Sequence, residues 1–287
     1  MVQELQGLSP YTVVLIAGVL ILVLLLLRWS IARSRPKQTP PVEESGVQIG
    51  NGQTIGSRSE QDDYFASMTT PVGTLALVAD GISGMANGRM SSTLAVTTFM
   101  KEYAKVTRPE EIITYLDRTA GVVNRNILQQ LNGQGGGTTL AVVVLVENKL
   151  YYGAVGDSMI TIYRNGEFVP VNSKHTAEVL LEEKVLAGQM TAEEAKDSPV
   201  RYHLINYLGY EGFSSMEIAD TPLELLPGDH VLVCSDGIHE ALTEIELETI
   251  MRKGLPPQDS AEQIIEAVHR KGLKHQDNAT VILLSGG

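Results

Sequence analysis

The chain has 287 residues, 43% of them hydrophobic, and a formal net charge of -12. That length allows one large domain or two small ones, and the apolar share is ordinary for a globular protein. Residues 1–40 hold four Lys/Arg and one Glu, leaving 18 basic against 33 acidic groups, a balance of -15 that offers nucleic acid no electrostatic footing.

The first predicted element is membrane-embedded. Residues 11–27, YTVVLIAGVLILVLLLL, contain no charge. Seventeen residues at about 1.5 Å each span about 25 Å, and flanking Trp29 and Ile31 bring a helix near the ~30 Å hydrocarbon core. A cleaved signal peptide would want positive charge before the run and a small-residue cleavage site after it. Here Glu4 precedes the run, and Arg28, Arg33, Arg35 and Lys37 follow it. The positive-inside rule therefore predicts a single-pass helix over 11–31, with residues 1–10 outside. The rest would lie at the cytoplasmic face of the inner membrane. Residues 32–53, with Pro36, Pro40 and Pro41, read as a juxtamembrane linker, and 54–287 as the globular domain.

Within that domain, strands are predicted at 74–80, 138–147, 149–155, 158–164, 167–171, 230–236 and 279–285. Residues 138–171 read as one meander, with tight turns at Glu147-Asn148 and Asn165-Gly166. Long apolar runs imply strands covered on both faces. Helical periodicity appears at 89–106, 109–131, 176–187, 191–196, 240–253 and 259–272. Thr191 with Glu194 forms a capping-box pattern, and Ser260 is a candidate N-cap. Strands without strict βαβ alternation suggest antiparallel sheet covered by helices. Cys234 is the single cysteine, so the chain has no internal disulfide and no cysteine-based zinc site. The six histidines lack HExxH-like spacing. His175 and His203 read as surface or packing residues rather than ligands.

The acids fall at strand ends. Asp80-Gly81 closes 74–80, and Asp236-Gly237 closes 230–236. Asp157 follows GAVG, Asp277 precedes ATVILLS, and Asp62 and Asp63 sit just after Arg58. If these ends converge, the carboxylates must bind protons or cations, since two such charges at 4 Å repel by roughly 4 kcal/mol at an effective dielectric of 20. Hard oxygen ligands suit Mg²⁺ or Mn²⁺. Gly81, without a side chain, could turn its carbonyl towards a metal held by Asp80. Two such ions could lower the pKa of a water between them, with Arg58 clamping a phosphate.

These motifs resemble the metal-dependent serine/threonine protein phosphatases of the PPM, or 2C-like, type. RSEQDD, VADGISG, GGTTLAVVV with GAVGDSMITIYRNG, LPGDHVLVCSDGIHEAL and DNATVILL run in the family's order over about residues 54–285. The resemblance implies an α/β fold, an αββα sandwich of two antiparallel sheets flanked by helices, in addition to the N-terminal transmembrane helix. It implies that Asp80 bridges two core metals, that Gly81 gives its carbonyl to one, and that Asp236 and Asp277 complete a shell. Asp62 would hold a ligand water and Asp63 would support metal-bound waters. A third, weaker site would use Asp157 and Asp236, with Glu240 as a further candidate. Arg58 would bind substrate phosphate, and residues 172–200 would form a flap.

The implied activity is hydrolysis of phosphoserine and phosphothreonine on proteins by metal-bridged hydroxide, and the implied partners are a membrane serine/threonine kinase and its targets. Two other readings stand beside it: an inactive membrane-tethered phosphoprotein-binding module, and a partner-switching phosphatase with one antagonist substrate. Five departures from the family pattern are visible, one of them SKHTAE at 173–178 where the flap usually reads Asp-His-Ser. Asp62 stands for a usual Glu, Ile82 for a His found in some members, Ser83 for a Gly, and Met159 for an Arg.

Overall fold

The computed structural model describes residues 46–82 and 87–286. The expected membrane span at 11–31 lies outside the described residues, as does Ser83. Among the described residues, no helix is long and apolar enough to cross a membrane.

Two antiparallel sheets form the centre. One runs β1 (Gln48–Thr54), β11 (Ala279–Ser285), β10 (His230–Cys234), β6 (Met159–Arg164), β7 (Glu167–Pro170). The other runs β2 (Tyr64–Thr69), β3 (Thr74–Ala79), β4 (Leu140–Val146), β5 (Lys149–Val155), β8 (Glu217–Ile218), with β9 (Leu223–Glu224) also on β5. Successive side chains on a strand point to opposite faces. On β3, Ala76 and Val78 meet Val143, Ile160, Val233 and Ile282 between the sheets. Leu75, Leu77 and Ala79 point the other way, against α1 (Gly88–Tyr103) and α2 (Ile112–Leu131). On β11, Ile282 and Leu284 face the inter-sheet core, while Val281 and Leu283 face α5 (Asp236–Ala241), α6 (Glu244–Met251) and α7 (Pro257–Lys271). Both faces of each sheet are therefore covered, which is why these strands lack polar alternation.

Several expectations change. The linker prediction reaches into ordered structure: β1 starts at Gln48 and pairs with β11 along its whole length, Gln48 opposite Ser285 and Thr54 opposite Ala279. Its QIGNGQT sequence has one large apolar residue, so periodicity does not mark it. Gly50 explains the choice, because a Cβ there would fall 2.1 Å from the Pro257 carbonyl carbon, where α7 lies against the strand. The meander over 138–171 is also broken. The β4–β5 and β6–β7 hairpins form, with Glu147 and Asn165 in the left-handed region as such turns require. Between them the chain changes sheet, as β5 pairs with β4 and β6 with β10.

The predicted strand 230–236 stops at Cys234, and Asp236 opens α5 instead. The helix predicted at 240–253 is two helices, α5 and α6, because Thr243 caps the second through a capping box with Glu246. Thr191 and Glu194 cap α4 (Ala192–Lys196) as expected. Ser260 is no cap: α7 starts at Pro257, and the Ser260 hydroxyl donates to the Leu255 carbonyl at 3.3 Å. A long insertion holding α3 (Ala177–Leu186) and α4 joins β7, an edge strand of one sheet, to β8, an edge strand of the other.

Candidate active site

Strand register brings the acids together. Tyr64 lies opposite Ala79, so Asp63 and Asp80 stand at the same end of their sheet. Cys234 pairs with both Val281 and Met159, which places Asp236, Asp277 and Asp157 at the matching end of the other. A cleft of about 470 Å³ opens there. Of the predicted residues, Arg58, Asp80, Asp157, Asp236 and Asp277 line it, joined by Ile82, Thr139, Tyr202, His203, Leu204 and Tyr207. Asp62, Asp63, Gly81 and Glu240 are not in its wall.

The backbone around Asp80 is tied down. Its amide donates to Thr139 Oγ1 at 3.1 Å, and its carbonyl accepts from the Thr139 amide and from Thr138 Oγ1, both at 2.8 Å. The GTT motif is thus the cradle of the Asp80 turn. Space constrains the two glycines after the acids. A Cβ on Gly81 would fall 2.5 Å from the Gly88 carbonyl carbon and 2.8 Å from the Asp62 carbonyl oxygen. One on Gly237 would fall 2.1 Å from the Asn278 carbonyl oxygen. Each glycine lets two acid-bearing segments touch.

Asp63 is buried at 2% exposure and anchors the floor. Its Oδ2 accepts from Ser235 Oγ at 2.8 Å and Thr280 Oγ1 at 2.7 Å, so a residue of one sheet holds two strand ends of the other. Asn278 plays the same part nearby. Its Oδ1 accepts from the Asp62 amide at 2.7 Å, and its Nδ2 donates to the carbonyls of Ile55 and Glu60. Neither the Ser235–Thr280 pair nor this bracing role of Asn278 is marked in sequence.

The electrostatics are strained. Burial, then the charges of Asp236 and Asp63, push Asp80 well above the ordinary carboxylate range. Burial, then Asp157, raises Asp236, and burial raises Asp63 against its two hydroxyl donors. Asp80 stands between Asp63 and Asp236, near enough for a protonated carboxyl to bond its neighbours. Asp157 and Glu240 are raised by burial first, and Asp62 by burial and then Glu60. Asp277 carries its own cation, with Arg58 Nη2 at 2.5 Å from its Oδ2.

Lys174 is the cation that sequence reasoning missed. Its Nζ donates to His239 Nε2 at 3.1 Å. Burial, then the Lys174 charge, lowers that imidazole to about 3, so it is a neutral acceptor. Lys174 also eases the charge on Asp157. Its neighbour His175 donates its backbone amide to the Gly156 carbonyl at 2.8 Å, fastening the segment beside Asp157.

The donor set fits divalent cations. Asp63 Oδ1 and Asp236 Oδ1 are buried without a hydrogen-bond partner, an expensive arrangement unless a proton or a cation satisfies them. All the donors are hard oxygens, which favours Mg²⁺ or Mn²⁺ over softer-ligand metals. Among the described residues no three His, Cys, Asp or Glu side chains already stand at coordination spacing.

Comparison with known proteins agrees with this geometry. A family model described as protein phosphatase 2C matches residues 52–276. A putative 2C-type protein phosphatase from Streptococcus pyogenes is 30% identical over 215 residues, covering 73% of this chain and 85% of that one. The serine/threonine phosphatase of S. agalactiae superposes with a TM-score of 0.74 at 27% identity, covering 84% of this chain and 100% of that one. The catalytic domain of the serine/threonine phosphatase PstP, in complex with two manganese ions, has the same fold, with a TM-score of 0.67 at 24% identity over 83% of this chain and 97% of that one.

Proposed function

This chain belongs to the protein phosphatase 2C family of serine/threonine phosphatases, and from that footing we propose that it is a membrane-anchored, metal-dependent phosphatase acting on phosphoproteins near the inner face of the membrane. One observation carries the metal assignment. Three carboxyls, Asp63, Asp80 and Asp236, are crowded at one end of two sheets with buried oxygens unpartnered.

Asp80, Asp236 and Asp277 would hold the ions, with the Gly81 carbonyl and Asp62 beside them. Asp157, Asp236 and Glu240 would form a weaker outer site. The manganese pair bound by PstP supports Mn²⁺, and Mg²⁺ meets the same oxygen chemistry. Bound there, divalent ions supply Lewis-acid charge and acidify water. The protein does the rest. Asp63 holds the chain ends at Ser235, next to Asp236, and at Thr280. Arg58, exposed at the rim, is placed to leave Asp277 for an incoming phosphate dianion and bind it with two parallel donors. Thr138 and Thr139 keep the Asp80 turn from moving as charge develops.

p-Nitrophenyl phosphate turnover is expected to need Mn²⁺ or Mg²⁺, to vanish in EDTA, and to return when metal is restored. Turnover that persists in EDTA would refute the metal assignment. An inert binding module would leave the buried acids without a purpose, and it predicts no turnover with any ion.

The uncharged run at 11–27, followed by four basic residues, supports the anchor and its orientation. It would confine the enzyme to membrane-proximal substrates, a membrane serine/threonine kinase among them. A reporter fused to the C-terminus should read as cytoplasmic and sediment with membranes. A soluble or external signal removes the anchor from the proposal.

A further inference from the structure

Resting on the phosphatase reading, we propose that His203 donates the proton to the departing serine or threonine oxygen. Alkoxides are far stronger bases than phenolates, so a serine ester needs an acid at the leaving oxygen. Ile82, in the cleft wall beside Asp80, cannot supply one. Arg58 stays protonated at any accessible pH. On that reading Asp80, Asp157, Asp236 and Asp277 are given over to cations. Thr139 Oγ1 is engaged by the Asp80 amide and by Ser158 Oγ at 2.7 Å. Tyr207 stacks on Tyr210 with ring centroids 5.1 Å apart, and burial raises its phenol further from neutrality.

Two donors remain in the wall, the phenol of Tyr202 and His203, the one imidazole among the described residues that lines this cleft. Imidazole is the side chain suited to giving and regaining a proton near neutral pH. The other histidines near the site are spoken for. His175 Nδ1 accepts from the Gly156 amide at 3.3 Å, and its Nε2 lies 3.6 Å from Glu217. His239 is buried, neutral and held by Lys174. His269 Nε2 bonds Thr54 Oγ1 at 2.7 Å.

His203 is also held in place. Its amide donates to the Val200 carbonyl at 2.9 Å, and its own carbonyl accepts from the Ala177 amide at 2.8 Å. Thr176 and Leu204 form a bridge, and the Ile205 amide donates to the His175 carbonyl at 2.9 Å. The His175 amide is in turn bonded to Gly156, next to Asp157. A short ladder therefore ties the imidazole-bearing strip to the acid-bearing crossover, while the ring itself is left open to solvent.

The step balances. Water adds its oxygen to phosphorus and releases one proton to solvent. The phosphorus–oxygen ester bond breaks with its electron pair on the serine or threonine oxygen, which takes the proton from the imidazolium of His203. The products are inorganic phosphate and the free hydroxyl, and the ring is reprotonated from solvent.

The test uses the full-length chain with Mn²⁺ and compares His203→Gln with wild type. Saturating kcat is measured on aryl phosphates of increasing leaving-phenol basicity and on a phosphothreonine peptide. The loss in the variant is expected to grow along the aryl series. It should be about a hundredfold larger on the peptide than on p-nitrophenyl phosphate, the size ordinary for general acid catalysis. An equal loss on every ester overturns the proposal, because it marks a structural role. A loss on the peptide that is absent from the aryl trend overturns it too, because it marks peptide contact. No loss anywhere has the same effect. A wild type silent on all esters overturns the phosphatase reading itself, and this proposal with it.

Discussion

Asp80→Asn is expected to reduce turnover by on the order of a thousandfold, more than loss of an outer-shell partner of a metal site costs, while making the metal-free domain more stable. The second half follows from charge. A carboxyl whose native pKa lies above its unfolded value holds its proton more tightly in the folded state. Asp80 is such a group, raised by burial and by Asp236. Stability of the metal-free protein is therefore greatest where these acids are protonated. It falls as pH climbs from about 4, near the unfolded carboxylate pKa, through the raised native values. Asparagine has no proton to lose. At pH 7.5 in EDTA the variant should melt about 4–8 °C above wild type, for about 2 kcal/mol in a domain of this size. The gap should close near pH 4. Mn²⁺ should reverse the order, since the wild type gains by mass action what the variant cannot. Equal melting shifts with Mn²⁺ in both proteins would contradict Asp80 as a ligand.

Asp63 should behave in the opposite way. Two buried hydroxyls, Ser235 Oγ and Thr280 Oγ1, converge on one of its oxygens. Asp63→Ala strands both and opens a gap between the sheets. It also removes a buried acid with a raised pKa, which offsets part of the loss. Unsatisfied buried donors cost about 1–3 kcal/mol each, so a net loss of about 3 kcal/mol and a melting point lower by about 6–12 °C are expected. Asp63→Asn is the informative partner. Its carbonyl oxygen can accept both hydroxyls, and its amide can donate towards Asp80. That variant should melt within about 2 °C of wild type or above it. If alanine and asparagine are equally destabilising, the hydroxyl network is not what holds the floor.

Strand-end acids were legible because an aspartate beside glycine after an apolar run leaves few other readings, and Asp80, Asp157, Asp236 and Asp277 do share one cleft. The need for the glycines was only partly legible. A sequence shows that a side chain is missing but not which backbone fills the space, and here it is Gly88 and Asp62 against Gly81, and Asn278 against Gly237. The polar edge strand at Gln48–Thr54 was hidden because its order comes from pairing with β11 and from contact with α7, both over two hundred residues away in the chain. Lys174 was hidden for a related reason, and His203, read from sequence as a surface or packing residue, stands exposed in the cleft wall. Their surroundings are assembled by the insertion folding back on Gly156 and on itself, and no local spacing encodes that.

The insertion leaves the domain from the outermost strand of one sheet and comes back at the far side of the other. No ladder hydrogen bond inside either sheet depends on its length or content. The acid row and the strip that overhangs it are therefore carried on separate stretches of chain. The acid row is locked by two sheets that tolerate little change. The insertion that overhangs it carries no ladder strand, so a change in its length would reshape the cleft wall at Tyr202, His203 and Leu204 and leave both sheets intact.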